Sequence, residues 1–270
     1  HCMEQSRLLA LSPVDGRYAA AADPLRPLLS ESGLIRERIR VEALWLLELS
    51  RSLPQLPGAA LPPAVAARAT ALARDPDPGA AAAVKEIELR IRHDVKAVEY
   101  YVRQELTAAG AGPATLELVH FGCTSEDVNN LSYGRLLAQA RAQVLVPALA
   151  QLDAMLGAFA REHARVPMLA RTHGQSASPT TIGKEFANFV PRLRRARRRL
   201  EAVEVLGKWN GAVGNFNAHH AALPEADWRA LSRQFVTSQG LHWNAHTTQI
   251  EPHDWIGEYA DACAAANVVL

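Results

Sequence analysis

Cysteine is scarce and scattered. Cys2, Cys123 and Cys263 are odd in number, far apart and form no CxxC pair, which excludes a disulfide framework and points to a reducing compartment. The chain opens with polar residues instead of a basic-then-apolar leader, so no secretory signal is read there, and cytoplasm is the expected location. Met3 reads as a natural start, with His1 and Cys2 as additions ahead of it. An unbroken membrane-length apolar run is also missing, because the most apolar stretch, residues 144–160, contains Gln151 and Asp153. Charge of one sign is lacking as well. Twenty-nine Lys and Arg against 28 Asp and Glu leave a formal charge of +1, which gives no general attraction to nucleic acid or an anionic membrane. No run of alternating β-branched residues supports a strand-built core.

What is present is helical periodicity. The 270 residues are 49% apolar and 21% charged, ordinary for one or two globular domains. Leu145, Leu149, Leu152, Leu156 and Phe159 alternate spacings of four and three. So do Ile182, Phe186, Phe189, Leu193, Ala196, Leu200 and Val203. Val84, Ile87, Ile91, Val95, Val98 and Val102 mark a third amphipathic helix, and residues 34–49 a fourth. Such seams belong to bundle helices packed at shallow angles, so the expected fold class is all-α. Pro147 and Pro191 interrupt two of the stripes and predict kinks. Ser178-Pro179 predicts a helix start, and Thr124 with Asp127 has capping-box spacing. Residues 53–79, rich in Pro, Ala and Gly, predict a loose connection with one short helix. Gly110-Ala111-Gly112-Pro113 predicts the domain boundary, placing a small N-terminal helical domain at 1–112 and the first part of a long-helix bundle at 113–270. Residues 255–270 read as a helix without a stop signal, and the expectation is a bundle left unfinished by a truncated product.

The densest polar group is Thr172-His173-Gly174-Gln175-Ser176. Histidine transfers protons near neutrality, and Gly174 lets backbone approach a ligand; the alternative is a histidine that merely bonds a loop carbonyl. Thr124-Ser125-Glu126-Asp127 opens a long helix whose free N–H groups and hydroxyls suit a carboxylate, or simply cap the helix. Arg92-His93-Asp94 and Lys96 lie off the apolar stripe, as a pocket lining or a solvated face. Ser12-Pro13-Val14-Asp15-Gly16 is a turn delivering Arg17, suited to a phosphate, and Tyr18. His242, His246 and His253 raise a metal site, but without an HExxH pattern or a CxxC pair. The run Arg192, Arg194, Arg195, Arg197, Arg198 and Arg199 suits phosphate backbones or the exposed face of a bundle helix, since Leu193, Ala196 and Leu200 thread it at core spacing.

Together these segments resemble the fumarase/aspartase superfamily and, within it, the bacterial long form of the adenylosuccinate lyase family. Thr124-Ser125-Glu126-Asp127-Val128-Asn129 is similar to the superfamily's first shared region and Thr172-His173-Gly174-Gln175 to its second. The branch is narrowed by Ser12-Pro13-Val14-Asp15-Gly16-Arg17-Tyr18, by Arg92-His93-Asp94-Val95-Lys96-Ala97-Val98-Glu99-Tyr100, and by Thr247-Thr248-Gln249-Ile250-Glu251-Pro252-His253-Asp254. The resemblance implies a homotetramer with active sites shared between subunits, a purine nucleotide substrate, and no metal or organic cofactor. It implies His173 as general acid, with His93 orienting substrate or supporting proton transfer. Thr124, Ser125 and Gln249 would hold a succinyl group, Arg17 and Tyr18 the nucleotide end, and Arg92 and Asp94 the pocket wall. The third shared region, a glycine- and serine-rich loop carrying the catalytic serine, and the C-terminal domain have no counterpart in these residues, so this stretch alone is expected to be inactive. Competing readings are a lyase acting on argininosuccinate or aspartate, a helical scaffold without catalysis, and a nucleic-acid binder using the arginine run.

Overall fold

The computed structural model describes residues 8–77 and 79–270; His1, Cys2 and Met3 lie outside them. Helices dominate, and the strands among the described residues are two short pairs. The all-α expectation holds. Contacts divide the chain into two compact units, one of His1–Ala138 with Val205–Pro252 and one of Gln139–Glu204 with His253–Leu270. The glycine-proline break at 110–113 does end a helix, but residues on both of its sides belong to the first unit.

The first unit is built on α1, Glu31–Ser52, which starts where the Ser30 hydroxyl accepts the Gly33 N–H at 3.1 Å. Its apolar face buries Ile35, Ile39, Trp45, Leu46 and Leu49. Within the loose connection lies one helix, α2 at Pro63–Arg74. The stripe from Val84 to Val102, expected as one helix, is two: α3 at Ala80–Ile91 and α4 at Asp94–Ala108. Arg92 takes a left-handed conformation (φ 59°) that ends α3, and His93 turns extended to cap α4. Periodicity missed the joint because Val84, Ile87, Val95, Val98 and Val102 all enter the core, leaving the apolar register unbroken across it.

The returning segment, residues 205–252, carries two short strands and two helices. It supplies Trp209 and Phe235, which meet Trp45 of α1 at ring-centroid distances of 5.1 and 5.0 Å. His219 joins this aromatic cluster, 4.9 Å from the Trp228 ring, only 1% exposed and with no partner for either ring nitrogen. Burial pushes its pKa down to about 4, so the ring is neutral. Beside the cluster, Lys208 and Asp127 form an ion pair at 3.0 Å with both side chains wholly buried.

In the second unit a helical run of 38 residues, Ser125–Glu162, continues from the first. It comprises α5 at Ser125–Ala140, a π turn at Arg141–Leu145 and α6 at Val146–Glu162. The wide turn sits just ahead of Pro147, whose ring crowds the carbonyl four residues back, so the expected kink takes the form of a π turn. By length and composition this run could cross a membrane, with a mean hydropathy of 1.4 over its most apolar window. Asp153 lies within it and accepts Arg194 Nε on both carboxylate oxygens at 3.0 Å.

The helix start expected at Pro179 is a strand instead. β1 (Pro167–Thr172) and β2 (Gln175–Thr181) form an antiparallel hairpin with Pro179 opposite Leu169. A two-stranded sheet has only edge strands, which tolerate a residue without an N–H, and proline favours extended backbone at Ser178 before it. The cap is Thr181, whose hydroxyl accepts the Lys184 N–H at 3.1 Å to open α7, Ile182–Ala187. The stripe continuing through Val203 also breaks, at Asn188. Helix α8 restarts at Phe189–Glu201, putting Pro191 in its first turn, where no backbone donor is needed. Of the arginine run, Arg194 and Arg197 pair with Asp153 and Glu201, while Leu193, Ala196 and Leu200 are buried. Further elements are β3 (Leu206–Gly207), α9 (Asn217–Ala222), α10 (Trp228–Ser238), β4 (His242–Trp243, parallel to β3) and α11 (Asp254–Val269), with short helical turns at Ala19–Ala22, Asp23–Leu25, Arg26–Leu29 and Pro113–Leu116.

Two stability predictions follow from the buried groups. Because His219 has a folded pKa near 4 against 6.5 unfolded, the unfolded chain takes up the proton first. Stability present above pH 6.5 is therefore lost as pH falls toward 4, by roughly 3 kcal/mol. His219→Leu should flatten that part of a urea-midpoint-versus-pH curve, and an unchanged slope would refute the assignment. Lys208→Met strands the Asp127 carboxylate and should cost about 3–5 kcal/mol in denaturant unfolding. Adding Asp127→Asn should recover part of the loss.

Candidate active site

The site grows from the head of α5. Asp127, one turn into that helix, accepts the Thr124 N–H at 2.8 Å, so the cap is closed by a side chain reaching back. The Thr124 and Ser125 hydroxyls are thereby not consumed in capping. Ser125 Oγ makes no hydrogen bond among the described residues, and Thr124 Oγ1 accepts Gln249 Nε2 at 3.4 Å. Both residues are half-buried and Gln249 is exposed. Two hydroxyls and an amide at a helix N-terminus form a donor-rich rim suited to a carboxylate.

Gln249 reaches Thr124 because its loop is tied down. Asp127 also accepts the backbone N–H groups of Asn210 (3.0 Å) and Gly211 (3.1 Å), and Lys208 Nζ donates to the Gly211 carbonyl at 3.1 Å. Asn210 Nδ2 then donates to Thr247 Oγ1 at 2.8 Å. Gly214 (φ +80°) lets the same loop close down, since a Cβ there would lie 2.3 Å from the Thr247 carbonyl oxygen. The buried pair thus organises both the helix head and the Gln249 loop.

The Arg92–Asp94 joint is tied to the same helix. His93 Nδ1 accepts the Lys96 N–H at 3.2 Å as the α4 cap, so the neutral ring carries its proton on Nε2. Its side chain is 52% exposed, which leaves that donor free for a ligand. Arg38 of α1 bonds Asp94 Oδ2 and Asn129 Oδ1, each at 2.9 Å. Burial of Asp94 is outweighed by the Val95 N–H and the Arg38 charge, and its carboxyl is held below the ordinary range. Nearby in sequence, left-handed His120 (φ 62°) sits 2.5 Å from Glu42, which is fully buried. Burial alone would lower the His120 pKa, but the Glu42 charge and hydrogen bond raise it.

Thr124, Ser125 and Gln249 are therefore brought together, and His93 and Asp94 are linked to the same helix through Arg38 and Asn129. Arg17 and Tyr18 stand exposed on their own turn, which Arg26 clamps through Asp15 (3.0 Å) and Asp23 (2.8 Å). No hydrogen bond joins their side chains to the other named residues among those described. In the second unit, His173 and Gly174 are the two central residues of the hairpin turn, with φ of 51° and 73°. Positive φ at both positions is the type I′ requirement. His173 is exposed and makes no carbonyl hydrogen bond among the described residues.

Arg38, Glu42, His120, Lys208 and Asn210 were not singled out from sequence. For two of them a signal existed: Arg38 and Glu42 fall on the α1 seam of Ile35, Ile39, Leu46 and Leu49, where charge must be paired to be buried. Among the described residues no group of three or more His, Cys, Asp or Glu could hold a metal ion.

A sequence profile for the family described as Lyase matches residues 16–270. Adenylosuccinate lyase of Escherichia coli (strain K12) is 46% identical over 273 residues, covering 99% of this chain and 59% of the relative. That of Haemophilus influenzae is 44% identical over 272 residues, with 99% and 59% coverage. The chain thus spans 59% of the length of these relatives. In fold it is similar to the fumarate lyase of Mesorhizobium sp. BNC1, with a TM-score of 0.71 at 22% identity over 92% of this chain and 54% of the other. It is also similar to a β-carboxy-cis,cis-muconate cycloisomerase from Acinetobacter calcoaceticus sp. ADP1, at TM-score 0.71 and 18% identity over 90% and 54%. With the profile covering all but the first fifteen residues, the chain belongs to this lyase family.

Proposed function

We propose that the chain is the N-terminal part of an enzyme that eliminates fumarate from adenylosuccinate, giving AMP, and from the succinylaminoimidazole carboxamide ribotide of purine biosynthesis. The observation that carries the reading is the meeting of Gln249 with Thr124 beside Ser125 at the α5 head, in a chain 46% identical to a relative named for that reaction. Thr124, Ser125 and Gln249 hold a succinyl carboxylate. A base removes the proton on the carbon beside that carboxylate, the C–N bond breaks, and its electrons leave with nitrogen. His173, exposed at the hairpin tip, protonates the departing nitrogen as general acid. Arg17 and Tyr18 receive the nucleotide phosphate end, while Arg92, His93 and Asp94 line the pocket, with the His93 Nε2–H available as a donor. The chemistry needs no metal or cofactor.

The site is completed in a cytoplasmic homotetramer. The 38-residue helix supports this reading, since only 11% of its most apolar window is buried within the chain, and Met155 and Phe159 remain exposed. Copies of the same helix cover that surface, so neither a membrane nor nucleic acid enters the proposal. A lyase for a different succinyl compound would keep the rim at Thr124 and Gln249 but has no use for Arg17 and Tyr18.

In the complete gene product, His173→Ala should lower turnover of adenylosuccinate about 10²–10⁴-fold, followed by fumarate release, with an unchanged melting temperature. Activity near wild type in that variant would sink the assigned role. Gln249→Leu should raise KM at least tenfold; an unaltered KM would remove Gln249 from the carboxylate rim.

A further inference from the structure

Arg38 occupies a position that helical periodicity reserves for an apolar side chain, and its own side chain is only 7% exposed. Burying a guanidinium is costly unless its donors are matched. Here Nε donates to Asn129 Oδ1 and Nη2 contacts Asp94 Oδ2, both at 2.9 Å. These two donors share one edge of the planar group, and they serve acceptors on two different helices. Asn129 belongs to the first turns of α5, whose head carries Thr124 and Ser125. Asp94 is the first residue of α4, directly after His93, whose Nδ1 lies 3.7 Å from Asp94 Oδ1.

We propose that Arg38 is a positioning residue that sets His93 against the Thr124–Ser125 rim, acting through Asp94 on one side and Asn129 on the other. The inference rests on the lyase reading and adds a residue that never touches substrate. Both ends of the joint need such a tie. Arg92 is left-handed and His93 extended, so no continuous helix ladder fixes the direction of α4 relative to α3. The α4 cap is closed by a bond local to that helix, while the α5 head is tied to the 208–211 segment through Asp127, a tie that does not reach α4. Arg38 contacts both helices, Asn129 of α5 and Asp94 of α4. Lysine cannot replace it, because one ammonium at the end of a flexible stem lacks the two-donor edge.

The test uses the complete gene product with adenylosuccinate, wild type run alongside. Arg38→Met should lower kcat at least tenfold while KM changes less than threefold, because ligand binding at the rim survives and orientation of His93 does not. The double variant Arg38→Met/Asp94→Asn should be within twofold of Asp94→Asn alone, since both substitutions cut the same link. Multiplying losses in the double variant, or a wild-type kcat in Arg38→Met, would overturn the inference. Arg38→Lys keeps the buried charge and covers the case in which the methionine variant does not fold. It should remain at least tenfold slow at a melting temperature within a few degrees of wild type, and kcat within twofold of wild type would also overturn it. A wild-type protein that releases no fumarate would sink the lyase reading and this inference together, whereas wild-type turnover with unperturbed variants sinks the inference alone.

Discussion

The buried ion pair between Asp127 and Lys208 holds the candidate site in place. Two opposite charges with no solvent contact are costly unless their remaining lone pairs and protons find partners, and here most of the partners come from the backbone of the loops at the candidate site. Asp127 gathers the N–H groups of Thr124, Asn210 and Gly211, and Lys208 takes the Gly211 carbonyl. Asn130 doubles the tie by bonding both the N–H and the carbonyl of Lys208. The consequence reaches the surface through Asn210 and Thr247, which deliver Gln249 to Thr124. A hydrophobic pair of equal volume would pack as well, but it would leave those backbone groups unmatched and the loops free to take other courses.

Much of the helical architecture was legible because apolar spacing is dictated by core packing, and α1 and α6 lie where that spacing puts them. The breaks were less legible. The Arg92–His93 joint keeps the apolar register on both sides, so periodicity runs through it. At Pro179 the proline signal for a helix start was outweighed by pairing with β1, a non-local interaction that no local pattern encodes. The site divides along the same line. Thr124, Ser125 and His173 stood out as polar groups in a loop or at a helix start and His93 as one off an apolar stripe, whereas Lys208 and Asn210 sit in a segment whose partners lie about 80 residues away. Glu42 and Arg38 were visible in principle as charges on a core seam, a pattern that has meaning only once burial of that seam is assumed.

Backbone conformation marks several of the candidate residues independently of their chemistry. Five described non-glycine residues have positive φ: Arg92, His120, His173, Phe216 and His253. Side chains in this region are strained, and such residues persist where surrounding contacts over-determine them. Three of the five lie in segments named in the site. Arg92 turns the chain so that His93 can cap α4, and His173 occupies a type I′ position that asparagine or glycine would fill more comfortably. His120 is held by a hydrogen bond to Glu42. The imidazoles of His120 and His173 are thus placed by loop geometry, which is why residue type flagged His173 and said nothing of where it would point.

The second unit poses the opposite problem, too little cover instead of too much constraint. Phe159 stacks on His163 at 4.0 Å and meets Phe186 at 4.5 Å, yet both phenylalanines remain over a third exposed. Aromatic rings arranged with this order on a surface lose favourable burial unless something packs over them. The polar residues of the same helices are placed where they do not obstruct such packing: Asp153 is neutralised by Arg194, and Arg141 Nη1 satisfies the Leu200 and Val203 carbonyls at the end of α8. Even the π turn fits, since it lets α5 run on into α6 past Pro147 without exposing a broken hydrogen-bond ladder. The apolar stripe of this helix reads strongly in sequence because its spacing is regular, although only 11% of its most apolar window is buried by this chain.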